Sequence, residues 1–188
     1  KTKEIIIKKN ISTPRFSLIK IKNLNKNELI KISNKYKKFI IKPNKSGSSF
    51  GIKIIKSKKD FSNLINSIEL FKNKLDQHKE VLIEEYISGK ELTVSTISFE
   101  KKIEALAVTE IKSKNIYFDY QAKYTKGYSK HILPAKLEKK IYLECLKLAV
   151  KVHSSLNCSS IARTDFIYDT KKKKIYFMGT NTQPGLTS

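Results

Sequence analysis

Four groups of residues in this 188-residue chain have the types and spacing to do chemistry. The first is Lys42-Pro43-Asn44-Lys45-Ser46-Gly47-Ser48-Ser49-Phe50-Gly51. Gly47 and Gly51 allow close backbone approach, Ser48 and Ser49 add hydroxyl donors, and Lys42 supplies a point charge. Such a loop could cradle a polyphosphate through its N–H groups. It is not a Walker A pattern, and a plain β-hairpin turn is the competing reading. The second group is Glu84-Glu85-Tyr86-Ile87, followed by Gly89 and Glu91. Its carboxylates could accept hydrogen bonds from ribose hydroxyls or an adenine amine, or could simply end an exposed strand. The third is Tyr117-Phe118-Asp119-Tyr120-Gln121-Ala122-Lys123-Tyr124, an aromatic start to a long polar stretch that could close over a site and exclude water. The fourth is Ala162-Arg163-Thr164-Asp165-Phe166 with Gly179-Thr180-Asn181-Thr182-Gln183-Pro184-Gly185. On paired strands Arg163, Asp165 and Asn181 would share one cleft. Asp165 and Asn181 offer hard oxygen ligands suited to Mg²⁺. Alone, an Arg-x-Asp is more often a surface ion pair.

The elements that must hold these groups are legible in the hydrophobic pattern. Residues 2–10 read as a short helix, and Pro14 forces an extended entry into Phe16–Ile21. Leu29, Ile32 and Tyr36 give Lys26–Tyr36 helical spacing. Phe39–Ile41 and Ile52–Ile55 flank the Ser/Gly loop as strands. Asp60 is placed to cap one helix with Leu64, Ile65, Ile68, Phe71 and Leu75 inward. Val81–Ile83 is a buried strand, and residues 87–90 link two lobes. Leu92–Phe99 sets Val94, Thr96 and Ser98 imperfectly against Leu92, Ser95 and Ile97. Ile103–Ile111 continues that sheet. Residues 112–134 are too long for an ordinary connection, which predicts a functional loop. Leu137, Ile141, Cys145, Leu148, Ala149 and Val152 mark a long amphipathic helix. Ile161–Tyr168 and Ile175–Thr180 form a final hairpin with Lys171–Lys174 at its solvated tip. The expected class is α+β: a helix-strand lobe, then a mostly antiparallel sheet backed by a helix.

Composition narrows the function. The net charge of +22 raises nucleic-acid binding, yet only Arg15 and Arg163 are arginine and lysine is spread through every segment. No nucleic-acid-reading motif is present, so no nucleic-acid partner is expected. No apolar run approaches the roughly 18–20 residues that span a bilayer, and no signal-peptide h-region opens the chain. Cys145 and Cys158 fit neither a metal spacing nor a disulfide framework, which predicts core thiols in a reducing, cytoplasmic setting.

The order of the four groups is the decisive feature. Lys-Pro-x-x-x-Gly-Ser-Ser-x-Gly from Lys42, Glu-Glu-x-x-x-Gly-x-Glu-Leu-Thr-Val from Glu84, and Phe-Asp-Tyr-x-Ala-Lys-Tyr from Phe118 come first. Ala-Arg-x-Asp-Phe from Ala162 and Asn-Thr-x-Pro-Gly-Leu-Thr from Asn181 follow. Over essentially the whole chain this series resembles the D-alanine–D-alanine ligases of the ATP-grasp superfamily.

The resemblance implies an ATP-grasp fold of two α+β lobes with the nucleotide cleft between them. Residues 1–86 would be the smaller, lid subdomain and 87–188 the larger. It implies that ATP phosphorylates the carboxylate of one D-alanine and that the amine of a second attacks the acyl phosphate, giving the peptidoglycan dipeptide. Lys3 and Lys42 would contact the phosphates under the Gly47–Gly51 loop, with Ser48 and Ser49 in that loop. Glu84, beside Glu85, would face adenine, with the backbone of Tyr86 and Ile87 as its hinge, and Glu91 would face the ribose. Lys123 would reach the transferring phosphoryl group, while Ser48, Tyr124 and Glu91 latch the mobile loop. Arg163 and the Gly185 N–H would stabilise the oxyanion. Asp165 and Asn181 would hold Mg²⁺ or Mn²⁺. The family carries a glutamate that bridges two metals where this chain has Gly179. The family's N-terminal domain and its extreme C-terminus are expected to be absent from the chain, and the full-length protein is expected to be a homodimer. Another ATP-grasp carboxylate–amine ligase, a homologue impaired at Gly179, and a non-enzymatic basic binding module are the alternatives.

Overall fold

In the computed structural model, residues 1–45, 51–75, 77–100, 102–113 and 129–184 are described. They divide into two units. One is Pro14–Tyr86; the other joins Lys1–Thr13 to residues 87–113 and 129–184.

Helix starts in the 14–86 unit follow capping chemistry. Asn25 caps α2 (Lys26–Tyr36), its side chain accepting the Glu28 N–H at 3.0 Å, and Leu29, Ile32 and Tyr36 form the buried stripe. The next helix departs from expectation twice. Ser57, not Asp60, is its cap: Ser57 Oγ accepts the Asp60 N–H, and the Asp60 carboxylate accepts the Ser57 N–H in return. Donation from the Lys56 N–H, and then from Ser57, holds the Asp60 carboxyl below its ordinary value. The helix also breaks at Ser67 into α3 (Lys58–Asn66) and α4 (Ile68–Asn73), where Ser67 Oγ donates to the Asn63 carbonyl at 2.7 Å. A hydroxyl that bonds back along the chain competes with the helix ladder.

These helices cover an antiparallel sheet of β1 (Phe16–Lys20), β2 (Phe39–Pro43), β3 (Lys53–Ile55) and β4 (Glu80–Glu85), ordered β1-β4-β2-β3 among the described residues. β2 and β4 pair from Phe39↔Glu85 to Pro43↔Val81, which makes β2 central and largely buried. Phe39, Ile41, Ile55, Leu64, Phe71, Val81 and Ile83 meet in its core.

The larger unit is an antiparallel sheet ordered β7-β6-β5-β8-β9. Its strands are β5 (Lys90–Phe99), β6 (Lys102–Ser113), β7 (Ser129–Ile132), β8 (Ile161–Asp169) and β9 (Lys174–Asn181), with α5 (Lys139–Ser155) against β5, β6 and β8. α1 (Thr2–Lys8) belongs here, not with the 14–86 unit, because Ile6 and Ile11 are buried in this core with Ala149, Val152 and Phe177. The Phe177 N–H donates to the Ser12 carbonyl at 2.7 Å. β7 pairs with β6, so part of the expected 112–134 loop is strand; residues 114–128 lie outside the described residues. Leu92 shares the buried face with Val94 and Thr96, where the sequence pattern suggested the opposite face. Cys145 is a core thiol that burial pushes up to about 12, and both cysteines are free.

Two positions fix the larger unit tightly. A Cβ on Gly89 would stand 2.2 Å from the Tyr168 carbonyl oxygen, so only glycine lets the chain pass. His153 is fully buried; its Nδ1 lies 2.8 Å from Thr96 Oγ1, and its buried Nε2 has no hydrogen-bond partner among the described residues.

Gly89→Ala should destabilise the larger unit by at least about 2 kcal/mol, because the obstructing atom is backbone; a thermal melt matching the parent would contradict this close approach. Desolvation holds the His153 imidazole below its ordinary value. The stability it contributes is therefore full above about pH 6.5 and is lost as pH falls through the lower folded value. Melting against pH should fall more steeply below about pH 6.5 for the parent than for His153→Gln; parallel curves would show that His153 takes up its proton freely.

Candidate functional site

In the 14–86 unit, Lys42 and Glu84 lie on the neighbouring strands β2 and β4, offset in register because Ile40 opposes Glu84. Lys42 Nζ reaches Glu84 Oε2 at 2.5 Å; the lysine side chain is 24% exposed and the glutamate 0%. The two residues expected to divide between phosphate and adenine are thus joined to each other. Glu85 alternates to the other side of β4 and takes a bidentate pair from Arg15, whose Nε and Nη2 donate at 2.8 and 3.2 Å. Arg15 also lies 5.5 Å from the centre of the Tyr36 ring. The Tyr86 N–H donates to the Lys38 carbonyl at 3.0 Å, and Lys56 Nζ sits 4.2 Å from the Tyr86 ring centre. Gly51, at φ +67°, is in the left-handed region two residues before β3. Ser48 and Ser49 lie outside the described residues, as do Lys123, Tyr124 and Gly185.

The larger unit gathers a second group on the sheet face opposite α5. Arg163↔Asn181 and Asp165↔Gly179 are register partners on β8 and β9, and Thr93 of β5 opposes Asp165 on its other side. Thr93 Oγ1 donates to Asp165 Oδ1 at 2.8 Å, and Arg163 Nε stands 3.4 Å from the same oxygen. Asn181 Oδ1 accepts the Gln183 N–H at 3.0 Å, which fixes the amide at the strand end. Glu91 precedes Thr93 by two residues and therefore projects from the same face of β5. Ile87 packs with Ile167 and Tyr176, anchoring the start of this segment. Lys90 Nζ, from the neighbouring position, donates to Glu110 Oε2 at 3.1 Å and to the Lys136 carbonyl at 2.9 Å. Lys3 is buried, its Nζ donating to Thr13 Oγ1 at 2.6 Å, and Thr13 Oγ1 donates to the Phe177 carbonyl.

Asp165 and Asn181 suit a hard cation that completes its shell with phosphate and water oxygens. The described residues contain no cluster of three His, Cys, Asp or Glu able to enclose a metal. Beside Asp165 the face is open, since a Cβ on Gly179 would meet nothing within 4 Å. Asp165 and Asn181 fit one Mg²⁺ shared with a polyphosphate, and Gly179 beside them adds no side-chain oxygen. Sequence reasoning missed Thr93, Thr13 and Arg15. Thr93 was accessible in principle, since it follows Glu91 by one strand period; the other two depend on chain crossings that periodicity does not reveal.

Removing the Lys42 charge should cost stability, because it takes a cation away from the buried Glu84 carboxylate. Lys42→Met should lower stability by about 2–4 kcal/mol, less than for a wholly buried pair because the lysine is partly exposed. Adding Glu84→Leu should recover most of that loss. Denaturant titration of the three proteins checks it, and equal stability of parent and Lys42→Met would show that the pair carries no buried charge.

The family described as D-ala D-ala ligase C-terminus matches residues 5–188. The D-alanine–D-alanine ligase of Wolbachia pipientis wMel is 38% identical over 120 residues, which are 64% of this chain and 37% of that protein. The corresponding ligase of Rickettsia bellii is 41% identical over 109 residues, 57% of this chain and 33% of that protein. Among solved structures, the VanG D-Ala:D-Ser ligase from Enterococcus faecalis superposes with a TM-score of 0.77 at 28% identity, covering 100% of this chain and 52% of that one. The Bacillus anthracis D-alanine–D-alanine ligase complexed with ATP gives 0.70 at 25% identity, covering 99% and 54%. The chain thus spans about half the length of these solved relatives. Its two antiparallel sheets with their helices are the α+β arrangement of the ATP-grasp ligases. The chain belongs to the D-Ala–D-Ala ligase C-terminus family.

Proposed function

We propose that the protein containing this chain joins two D-alanines at the expense of ATP, through a D-alanyl phosphate, for peptidoglycan synthesis. The observation that carries the reading is the shared sheet face on which Arg163, Asp165 and Asn181 stand together, with Thr93 fixing one oxygen of Asp165. A guanidinium beside hard oxygen donors suits a reaction in which an anionic phosphoryl group is transferred and a tetrahedral oxyanion then forms.

In this reading Lys3 and Lys42 serve the phosphates, with Ser48, Ser49 and Lys123 from the two loops. The strand end at Glu84, Glu85, Tyr86 and Ile87 serves adenine, and Glu91 serves the ribose. Arg163 and the Gly185 N–H hold the oxyanion, while Ser48, Tyr124 and Glu91 latch the long loop. Asp165 and Asn181 hold Mg²⁺, which supplies neutralising charge at the β- and γ-phosphates when bound. Arg163 keeps the carbonyl oxygen polarised as the second amine attacks. The phosphate then leaves with the carboxylate oxygen it had captured. A cytoplasmic setting and a homodimer at full length belong to the same proposal; no helix among the described residues is long and apolar enough to cross a membrane. A second acceptor enters because the D-Ala:D-Ser ligase is similar along the whole chain.

The full-length protein with ATP, Mg²⁺ and D-alanine should release D-alanyl-D-alanine and ADP, assayed beside D-serine and D-lactate as second substrates. Nucleotide binding without any ligated product would overturn the reading. Gly179→Glu should raise turnover more than ATP affinity, because the open face beside Asp165 then gains a carboxylate. Steady-state rates across a Mg²⁺ series check this; equal turnover would mean that another group already supplies that charge.

A further inference from the structure

We propose that Thr93 is a positioning residue for Asp165: its hydroxyl holds one carboxylate oxygen, leaves the other for a cation, and keeps the carboxylate from closing onto Arg163. The inference rests on the ATP reading above and concerns how the larger unit shares one carboxylate between two positive charges.

Arg163 is the first of these charges. It lies two residues before Asp165 on the same face of β8, and its Nε stands 3.4 Å from Asp165 Oδ1. That Nε is buried and makes no hydrogen bond among the described residues, so any closer approach of the carboxylate would satisfy it. Left to themselves, a guanidinium and a carboxylate form a bidentate pair that occupies both oxygens. The two groups would then neutralise each other, and neither charge would serve a phosphate or an oxyanion.

Thr93 stands against that collapse. The β5–β8 register sets Thr93 directly opposite Asp165, and Thr93 Oγ1 donates to Oδ1 at 2.8 Å. The hydroxyl has one proton, and its other acceptor within reach, the Thr164 carbonyl, is farther off at 3.5 Å. A neutral donor fixes an oxygen without cancelling the negative charge. Both contacts of Asp165 fall on Oδ1, and the side chain is 44% exposed, so Oδ2 is the oxygen available to a hard cation.

Two effects of the hydroxyl oppose each other, so the sign of one measurement decides. Its hydrogen bond stabilises the unliganded carboxylate, and removing it should tighten the cation if that effect dominates. It also holds the carboxylate in place, and removing it should loosen the cation if positioning dominates. A side chain that only fills space predicts no change when its shape is kept.

The test is isothermal calorimetry on the full-length protein with the β,γ-imido analogue of ATP, titrated once with excess Mg²⁺ and once with EDTA. Thr93→Val keeps the shape and loses the hydroxyl, while Thr93→Ser keeps the hydroxyl. Positioning predicts that Thr93→Val weakens the Mg²⁺ complex by about tenfold or more and leaves the metal-free analogue unchanged. Thr93→Ser should match the parent in both conditions. Thr93→Ala should repeat the valine result, which supplies the test should that variant not fold. Unchanged or tighter binding of the Mg²⁺ complex by Thr93→Val would overturn the proposal. So would an equal loss with and without Mg²⁺, or a serine variant as weak as the valine one. A parent that binds the analogue in neither condition would instead overturn the ATP reading on which the proposal rests.

Discussion

The register of β8 against β9 is the constraint on which the proposed chemistry depends. Phe166 opposes Phe177, yet Asp165 opposes Gly179, so one residue of β9, Met178, is unmatched. This bulge lets Phe177 face the core and Thr180, three residues on, meet Thr164 on that same face at 3.2 Å. Gly179 and Asn181 then fall on the open face with Arg163 and Asp165. Without the extra residue, keeping Phe177 buried would turn Asn181 inward and set Thr180 beside Arg163, because a one-residue slip exchanges the faces of a strand. β6 uses the same device: Val94 opposes Val108 and Thr96 opposes Ala105, which keeps Val108 buried and packs Ala105 against the same core. Apolar packing and site geometry are thereby reconciled by two insertions.

Charge is managed just as locally. Net charge is +22, but the two most buried carboxylates among the described residues each have a lysine at hand: Glu84 has Lys42, and Glu110 has Lys90. Both pairs bridge neighbouring strands, and the second sits beside Glu91 at the start of β5. A buried ion pair adds little net stability over an apolar pair, yet is costly to break from one side. Such pairs fix which residues of neighbouring strands stand together more than they strengthen the fold. Exposed pairs such as Lys72–Glu69 and Lys31–Glu28 carry no comparable information.

Much of this was legible in the sequence, for identifiable reasons. Leu29, Ile32 and Tyr36 gave α2 without error because an amphipathic stripe is a local signal. The hairpin around Lys171–Lys174 was equally local, and in the structure Asp169 closes it by accepting the Lys171 and Lys172 N–H groups at 3.0 Å. The order of motifs identified the family, and Arg163, Asp165 and Asn181 do fall on one face. What stayed hidden was non-local or a matter of competing hydrogen bonds. Nothing in residues 1–13 announces that α1 joins the later sheet, since Ile6 and Ile11 would suit any apolar core. The break at Ser67 interrupts a continuous apolar stripe where the Asn63 carbonyl accepts both the Ser67 N–H and its hydroxyl. The Lys42–Glu84 contact needs the β2–β4 register, which no spacing in the sequence encodes.

In the proposed reading, a D-alanine carboxylate is phosphorylated on the face that carries Arg163, Asp165 and Asn181. Its most direct test is isotope transfer in the full-length protein. D-alanine labelled with ¹⁸O in both carboxylate oxygens is incubated with ATP and Mg²⁺, and the released inorganic phosphate is analysed by mass spectrometry. Formation of an acyl phosphate, followed by attack of the second amine at carbon, predicts one ¹⁸O in the phosphate for every dipeptide made, with ADP as the other product. Unlabelled phosphate accompanying dipeptide, or release of AMP and pyrophosphate, would contradict the account.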